Sequence, residues 1–358
     1  MKNQLQNELN DVCGTINEFI HSDPFPDSLS PELLREAVRL YPLRGGKRIR
    51  PVLVMWSCGA VGGDPEKAVN AAAAVEIYHN WTLVHDDIID CDELRRGSAT
   101  CHIDLKRKAA GAFELTPVRA KKFGTDFAIL AGDVQQAWAM DVLLRSTERG
   151  VSCETVNRMA QRMQSFLNRR LISGEALDVE FEYRRRFPGR DEVTEMIRGK
   201  TGALLSYSAE CGAMIGLDTA DVQRKEVRAL AAFAGEIGYA FQLCDDLLGV
   251  YGEESTFGKP LCSDFREGKP TILFIEAMER LSGTGKEELF SLMNLEHYGP
   301  EEIARIQTLL EECGARRAVI REAERSSSAA RRSLAELPSG RYRSLLEALA
   351  ESLLKRNV

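Results

Sequence analysis

Two runs of carboxylates sit where carboxylates are costly. Asp86, Asp87 and Asp90 lie in Leu-Val-His-Asp-Asp-Ile-Ile-Asp, and Asp245-Asp246 lies in Tyr-Ala-Phe-Gln-Leu-Cys-Asp-Asp-Leu-Leu-Gly. Both stretches are otherwise apolar and read as helical. A carboxylate taken from water into apolar surroundings must be paired or neutralised, so any fold of this chain has to bring positive charge to both. On a helix, Asp86 and Asp90 stand one turn apart on one face. Hard oxygen donors at that spacing suit Mg²⁺, which keeps several waters and typically bridges one or two carboxylates to phosphate oxygens. A solvated acidic face is the alternative, weakened by Leu83, Val84, Ile88 and Ile89 on either side. Facing each other across a cavity, the two pairs would hold a metal cluster and, through it, a polyanion.

Helix signals recur along the chain. Ser30-Pro31-Glu32 and Asp64-Pro65-Glu66 each offer a capping side chain, a proline at the first helical position and an acid in the first turn. Gly299-Pro300-Glu301-Glu302 repeats the pattern before Ile303, Ile306, Leu309 and Leu310, a helical stripe. No Asn-Gly or Asp-Gly occurs, so the strongest hairpin signal is missing. The pattern predicts an all-α fold, with one domain over 1–358 and no compositional linker. Residues 91–100, 184–190 and 252–269 read as loops. Lys106 to Lys122, basic and broken by Gly111 and Pro117, reads as a surface excursion.

The formal charge of −7 argues against a nucleic-acid partner, because such binders need a basic footprint to displace counterions. No run approaches the ~20 apolar residues that span a bilayer, and the first residues, Met-Lys-Asn-Gln-Leu-Gln, hold no apolar signal core. Nine cysteines lack any Cys-x-x-Cys spacing and read as small core hydrophobes. The expected location is cytoplasmic.

Basic residues flank the acidic runs. Gly45-Gly46-Lys47-Arg48-Ile49-Arg50-Pro51 precedes an apolar helix, Arg95-Arg96 follows Asp90, and Lys200-Thr201, Lys259 and Lys269 accompany the second pair. Guanidinium forks and lysine point charges are common partners of phosphate oxygens. Each cluster alone is compatible with a solvated face. Together they describe a site for two phosphorylated groups, one held through metal and one through direct cations.

These residues fall in blocks that resemble the trans-isoprenyl diphosphate synthase (polyprenyl synthetase) family: GGKRIRP at 45–51, HNWTLVHDDIIDCDELRRG at 79–97, AILAGD at 128–133, GEALD at 174–178, KTGALL at 200–205, FQLCDDLLG at 241–249, and FGKP with SDFREGKPT over 257–271. The resemblance implies an isoprenoid synthase fold with helices around a deep central cavity, usually a homodimer. It implies head-to-tail condensation of isopentenyl diphosphate with an allylic diphosphate, using three Mg²⁺ ions. By this resemblance Asp86, Asp90 and Asp245 hold metal, with Asp87 and Asp246 supporting. Arg95, Lys200, Thr201, Gln242, Lys259 and Lys269 hold the allylic diphosphate, Lys200 standing with the aspartates in the catalytic set. Lys47, Arg50, His79 and Arg96 hold isopentenyl diphosphate. His85 reads as a structural hydrogen-bonding residue.

The sequence departs from the family at Gly249, where many members carry a third Asp, and at Glu175, where a Gln is common. Trp81 lies five residues before Asp86, about 7.5 Å along a helix axis, and Thr82 beside it is small. A bulky ring there stops a growing chain early, and family members with an aromatic at that position and a small residue beside it stop at twenty carbons, sometimes fifteen, so the resemblance implies geranylgeranyl diphosphate as product and farnesyl diphosphate as the alternative. A terpene cyclase would not need GGKRIRP or the arginine pair. A non-catalytic subunit of a heteromeric prenyltransferase would be expected to lose the acids and bases retained here, and a phosphohydrolase would leave the second cationic site unexplained.

Overall fold

The computed structural model describes residues 2–184, 186–252 and 260–355. The described residues form an all-α fold, as the pattern predicted, with one short pair of strands. In order run α1 (Lys2–Ser22), α2 (Glu32–Leu43), α3 (Ile49–Ala60), α4 (Val69–Ile89), α5 (Cys101–Ala112), α6 (Pro117–Leu144), α7 (Cys153–Arg162), α8 (Arg169–Tyr183), α9 (Arg190–Ile197), α10 (Ala203–Gly216) and α11 (Lys225–Tyr251). Then come α12 (Ser263–Arg266), α13 (Ile272–Arg280), α14 (Gly283–Ser291), α15 (Pro300–Glu312), α16 (Ala315–Ala335) and α17 (Arg341–Lys355). Among the described residues the strands are β1 (Leu94–Arg95) and β2 (Ser98–Ala99), an antiparallel pair inside the expected 91–100 loop. Contacts sort into two compact units, Met1–Gln161 with Ser208–Val222, and Arg162–Tyr207 with Gln223–Val358.

The first unit is built on α4. Its residues from Val69 to Tyr78 are buried on every side, the signature of a helix inside the core. Ala71 to Ala74 leave room for neighbours to approach, and α6 lies antiparallel alongside, with Gly132 facing His85 and Arg149 donating to Asn70 (2.5 Å). Behind α3, a Cβ at Gly212 would stand 2.1 Å from the Val54 carbonyl oxygen, so α3 and the Ser208–Gly216 part of α10 touch backbone to backbone. Asp23 ties three segments together, accepting from the Trp138 indole (2.9 Å) and from Arg145 (2.5 Å).

The second unit centres on α11 against α16, and its core gathers Leu243, Leu247, Phe265, Phe274, Ile306 and Val319. The Ile303–Leu310 stripe packs as predicted: Ile306, Leu309 and Leu310 are buried, and Glu302 caps Gly299 N (2.8 Å). Asp64 caps a short 3₁₀ turn by accepting from Glu66 N (3.0 Å).

Two local expectations are corrected. Ser30 does not cap α2: the position before Glu32 is Pro31, with no side-chain cap. The Lys106–Lys122 segment is not a loop, since α5 continues to Ala112 and α6 opens at Pro117. Proline is tolerated in a first helical turn, where its missing N–H would have no partner anyway, so Phe113–Thr116 alone connects the helices.

Candidate active site

In the first unit, Asp86, Asp87 and Asp90 sit at the C-terminal end of α4, and the turn through β1 brings Arg95 back onto them. Arg95 Nε donates to Asp87 Oδ1 (2.6 Å) and Nη2 to Asp86 Oδ2 (3.2 Å). Asp86 and Asp90 are half-buried, while Asp87 is buried completely. The other Asp87 oxygen accepts from the Tyr41 hydroxyl, which in turn accepts from Cys101 N (2.9 Å). Burial raises the Asp87 carboxyl despite the adjacent guanidinium. Asp87 is thus committed to holding Arg95 and Tyr41, whereas Asp86 and Asp90 sit nearer the surface.

Beside them is a cationic cluster. The turn before α3 needs Gly45 and Gly46, with φ of +75° and +150°, conformations that favour glycine. A Cβ at Gly46 would lie 2.8 Å from Arg96 Nη1, which donates to the Gly45 carbonyl (2.5 Å). Arg48 turns inward and pairs with buried Glu76 (2.6 Å), also reaching Asn17 (2.9 Å) and the Pro42 carbonyl (2.6 Å). Glu76 is thereby engaged by Arg48. Arg50 makes no ion pair among the described residues, and its Nε is buried without a hydrogen-bond partner. Burial pulls the Arg50 guanidinium down to about 10; Glu76 offsets part of this and Arg96 adds to it. Desolvation, then the charges of Arg50, Arg96 and Arg95, hold His79 well below the usual imidazole range, so it is neutral. Arg50 and Arg96, beside this neutral imidazole, make no ion pair among the described residues, so their positive charge stands without a counter-charge. Lys47 is exposed at the rim of this cluster.

His85 turns away from the aspartates, as expected for a structural role, with Nε2 3.2 Å from the Ile129 carbonyl. Trp81 is half-buried on α4, its ring edge-on to Tyr78 (4.8 Å) and to His85 (5.9 Å), which fixes the indole. Thr82 donates to the His79 carbonyl (2.8 Å).

In the second unit a cavity of about 200 Å³ gathers the remaining residues: Asp178, Lys200, Thr201, Gln242, Asp245, Asp246, Asp264 and Lys269. Lys200 and Thr201 lie on a π-helical turn, Arg198–Gly202, inserted between α9 and α10; such turns recur at functional sites. Lys200 Nζ is shared by Glu175 (2.9 Å) and Asp178 (2.8 Å). The approach of α8 to this turn requires glycine, because a Cβ at Gly174 would lie 2.3 Å from Lys200 N. Thr201 donates to Gln242 (3.4 Å), and Gln242 Nε2 donates to Asp246 Oδ1 (3.0 Å). Burial, then the charges of Asp264 and Asp245, push the Asp246 carboxyl well above its ordinary value. Lys269 pairs with Glu267 (3.1 Å). Lys259 lies outside the described residues.

The donor set fits Mg²⁺. The acids on α4 and α11 are hard oxygen donors, and among the described residues Asp246 makes no ion pair, its Oδ2 being buried without a hydrogen-bond partner. Among the described residues no three acidic, histidine or cysteine groups converge into a finished metal cage.

Both departures from the family pattern have a structural account. Glu175 shares the Lys200 ammonium. Gly249 is buried, and its carbonyl accepts from Cys262 N (2.7 Å), tying the end of α11 to the segment before α12. Asp178, Asp264 and Tyr41 were missed as site residues. Asp178 and Asp264 do stand inside the GEALD and SDFREGKPT blocks, but outside the paired-aspartate pattern; Tyr41 carries no motif.

Comparison with known proteins adds a second line. Residues 31–312 match the family described as Polyprenyl synthetase. The geranylgeranyl diphosphate synthase of Sulfolobus acidocaldarius is 35% identical over 299 residues, 83% of this chain and 82% of that protein. The (2E,6E)-farnesyl diphosphate synthase of Mycobacterium tuberculosis is 36% identical over 283 residues, 78% of this chain and 71% of that protein. Among solved structures, the geranylgeranyl pyrophosphate synthetase of Pyrococcus horikoshii matches with a TM-score of 0.86 and 32% identity, covering 99% of each chain.

Proposed function

We infer, from the premise that this chain belongs to the polyprenyl synthetase family, that it is a short-chain trans-isoprenyl diphosphate synthase whose product is geranylgeranyl diphosphate. The chain is a prenyltransferase that condenses isopentenyl diphosphate with an allylic diphosphate. The observation that carries the reading is the Arg50–Arg96–His79 cluster of the first unit, where Arg50 and Arg96 make no ion pair among the described residues and would take a second diphosphate without metal. An enzyme acting on one diphosphate has no use for it.

Lys47, Arg50, His79 and Arg96 would bind isopentenyl diphosphate, the neutral imidazole offering a hydrogen bond without adding charge. Arg95, Lys200, Thr201, Gln242, Lys259 and Lys269 would bind the allylic diphosphate. Asp86, Asp90 and Asp245 would hold Mg²⁺, with Asp87 and Asp246 in support. When bound, Mg²⁺, three ions in this reading, supplies positive charge to the departing diphosphate. In this reading Lys200 and Arg95 would each contribute a fixed cation to the allylic diphosphate, and Asp87 with Tyr41 holds Arg95 in place. The allylic cation would have to be kept from water until it reacts. The alkene of isopentenyl diphosphate attacks it, and the proton lost goes to the released diphosphate, so no protein nucleophile is required.

Trp81, locked between Tyr78 and His85, supports a twenty-carbon limit. Farnesyl diphosphate is the second reading, favoured by the name of the mycobacterial relative. We extend the proposal to a cytoplasmic homodimer; exposed Ile129, Leu130 and Leu144 on α6 support the dimer. No helix among the described residues is long and apolar enough to cross a membrane.

The test is a product assay with Mg²⁺, supplying isopentenyl diphosphate with dimethylallyl, geranyl or farnesyl diphosphate in turn and reading chain length by mass spectrometry. A twenty-carbon product from each primer is expected. Failure to elongate any primer, from folded protein, would overturn the reading.

A further inference from the structure

The helical hairpin of α5 and α6 has features that the proposed chemistry does not use. Between Lys106 and Lys122 six bases stand against the single Glu114, a net +5 in a chain of net −7. Everything outside Lys106–Lys122 therefore sums to −12. Lys108 pairs with Glu36 (2.9 Å), and Lys122 with Asp126 (2.8 Å). Lys106, Arg107, Arg119 and Lys121 form no ion pair among the described residues. At the same tip two large apolar side chains face solvent, Phe113 at 56% exposure and Val118 at 79%. They are held in place: Phe113 packs on Phe123 (5.5 Å between ring centres), and Phe123 stacks on Phe127 (4.3 Å).

The tip also projects. His85 meets α6 at Ile129 and Gly132, and α6 runs antiparallel to α4. Val118 is eleven residues earlier on α6, about 16 Å along its axis, while Asp90 is only about 7.5 Å beyond His85. The tip therefore stands past the end of α4 that bears the aspartates.

We propose that the α5–α6 tip docks this protein peripherally on an anionic lipid bilayer, with Phe113 and Val118 entering the headgroup boundary and the surrounding bases meeting lipid phosphates. A cationic collar around an apolar point is the chemistry of interfacial anchoring. The acidic remainder is repelled by the same surface, so a single orientation is favoured. A nucleic acid would use the bases and leave the apolar point in water, which is why the bilayer is the better match. The orientation places the Asp86–Asp90 end of the first unit toward the membrane, where a product with a long apolar tail partitions. That link rests on the proposed function; the docking does not.

The test uses the full chain and vesicles of phosphatidylcholine, with or without phosphatidylglycerol, in co-sedimentation at low and high salt. Wild-type protein is expected to pellet with the anionic vesicles only, and less at high salt. A triple Arg107→Gln, Arg119→Gln, Lys121→Gln variant should lose about a hundredfold in partitioning. A Phe113→Ser, Val118→Ser variant, with every charge kept, should lose about tenfold or more. Both should keep wild-type melting and wild-type turnover of soluble substrates without vesicles, so failure here is separable from failure of the synthase reading. The proposal is overturned if wild type ignores anionic vesicles. It is equally overturned if the apolar variant binds as well as wild type, or if wild type binds an oligonucleotide as tightly as it binds vesicles.

Discussion

Replacing Arg50 by Met should make the protein more stable and a worse enzyme. In the folded chain Arg50 is drawn well below the ordinary guanidinium range, to about 10, first by burial and also by Arg96, against the opposing pull of Glu76. A basic group lowered by folding weakens the fold wherever it is charged. The cost is fully present below pH 10 and disappears only as pH rises from 10 toward the ordinary guanidinium range. At 1.36 kcal/mol per tenfold change in protonation constant, it comes to about 3 kcal/mol at neutral pH. Met keeps most of the stem and removes the charge. With unfolding entropy near 2.1 cal/mol/K per residue, the gain corresponds to a rise in Tm of about 2–4 °C. The lost charge-assisted hydrogen bonds to a diphosphate, about 1.5–3 kcal/mol, should raise the KM for isopentenyl diphosphate about 10- to 150-fold and leave the KM of the allylic primer unchanged. Calorimetry should also show inorganic diphosphate without Mg²⁺ raising the Tm of wild type and not of Arg50→Met. A variant that melts lower and keeps its KM would mean that Arg50 is a structural cation and that the cluster is not an anion site.

Four further outcomes are expected. Trp81→Ala should lengthen the product beyond twenty carbons, read by mass spectrometry; an unchanged length would remove the ring as the stop. Asp87→Asn should lower kcat about 10- to 100-fold through loss of a buried charge-assisted pair, with circular dichroism showing intact helices, and Tyr41→Phe should show a weaker form of the same defect. Since burial and neighbouring acids raise Asp246, and only its ionised form helps hold a cation, activity should fall as pH drops through its titration. Asp246→Asn should flatten that acid limb while lowering activity throughout. Glu175→Gln leaves Asp178 as the anionic partner of Lys200, frees part of its charge, and should tighten the KM for the allylic diphosphate by a few-fold.

Much of this site was legible because its residues come in tight local patterns. Asp86 and Asp90 share a helix face by spacing alone, and Thr201, Gln242 and Asp246 fell in recognisable blocks before the structure joined them in one hydrogen-bond chain. What could not be read was whatever depends on distant contacts. The commitment of Asp87 is set by Tyr41, forty-six residues away, and the inward turn of Arg48 by Glu76. Neither partner carries a local signal. The Lys106–Lys122 segment was misjudged for the opposite reason: Gly111 and Pro117 are breakers inside a helix but harmless in its last and first turns, and Ala109 and Ala120, both buried, supply the inward faces. At Ser30 the local pattern was present, but the chain enters α2 through Pro31 instead.

The π-helical turn at Arg198–Gly202 bears on how this chain can vary through its history. It holds one residue more than an α-helical turn, and each helical residue turns the chain by about 100°. Substitutions around it alter one side chain at a time. Deleting a single residue there would instead rotate all of α10 against α9, carrying Lys200 and Thr201 away from Asp178 and Gln242 together. The segment should therefore accept many replacements yet almost no change of length, and descendants of this gene should differ here by spelling and not by gaps.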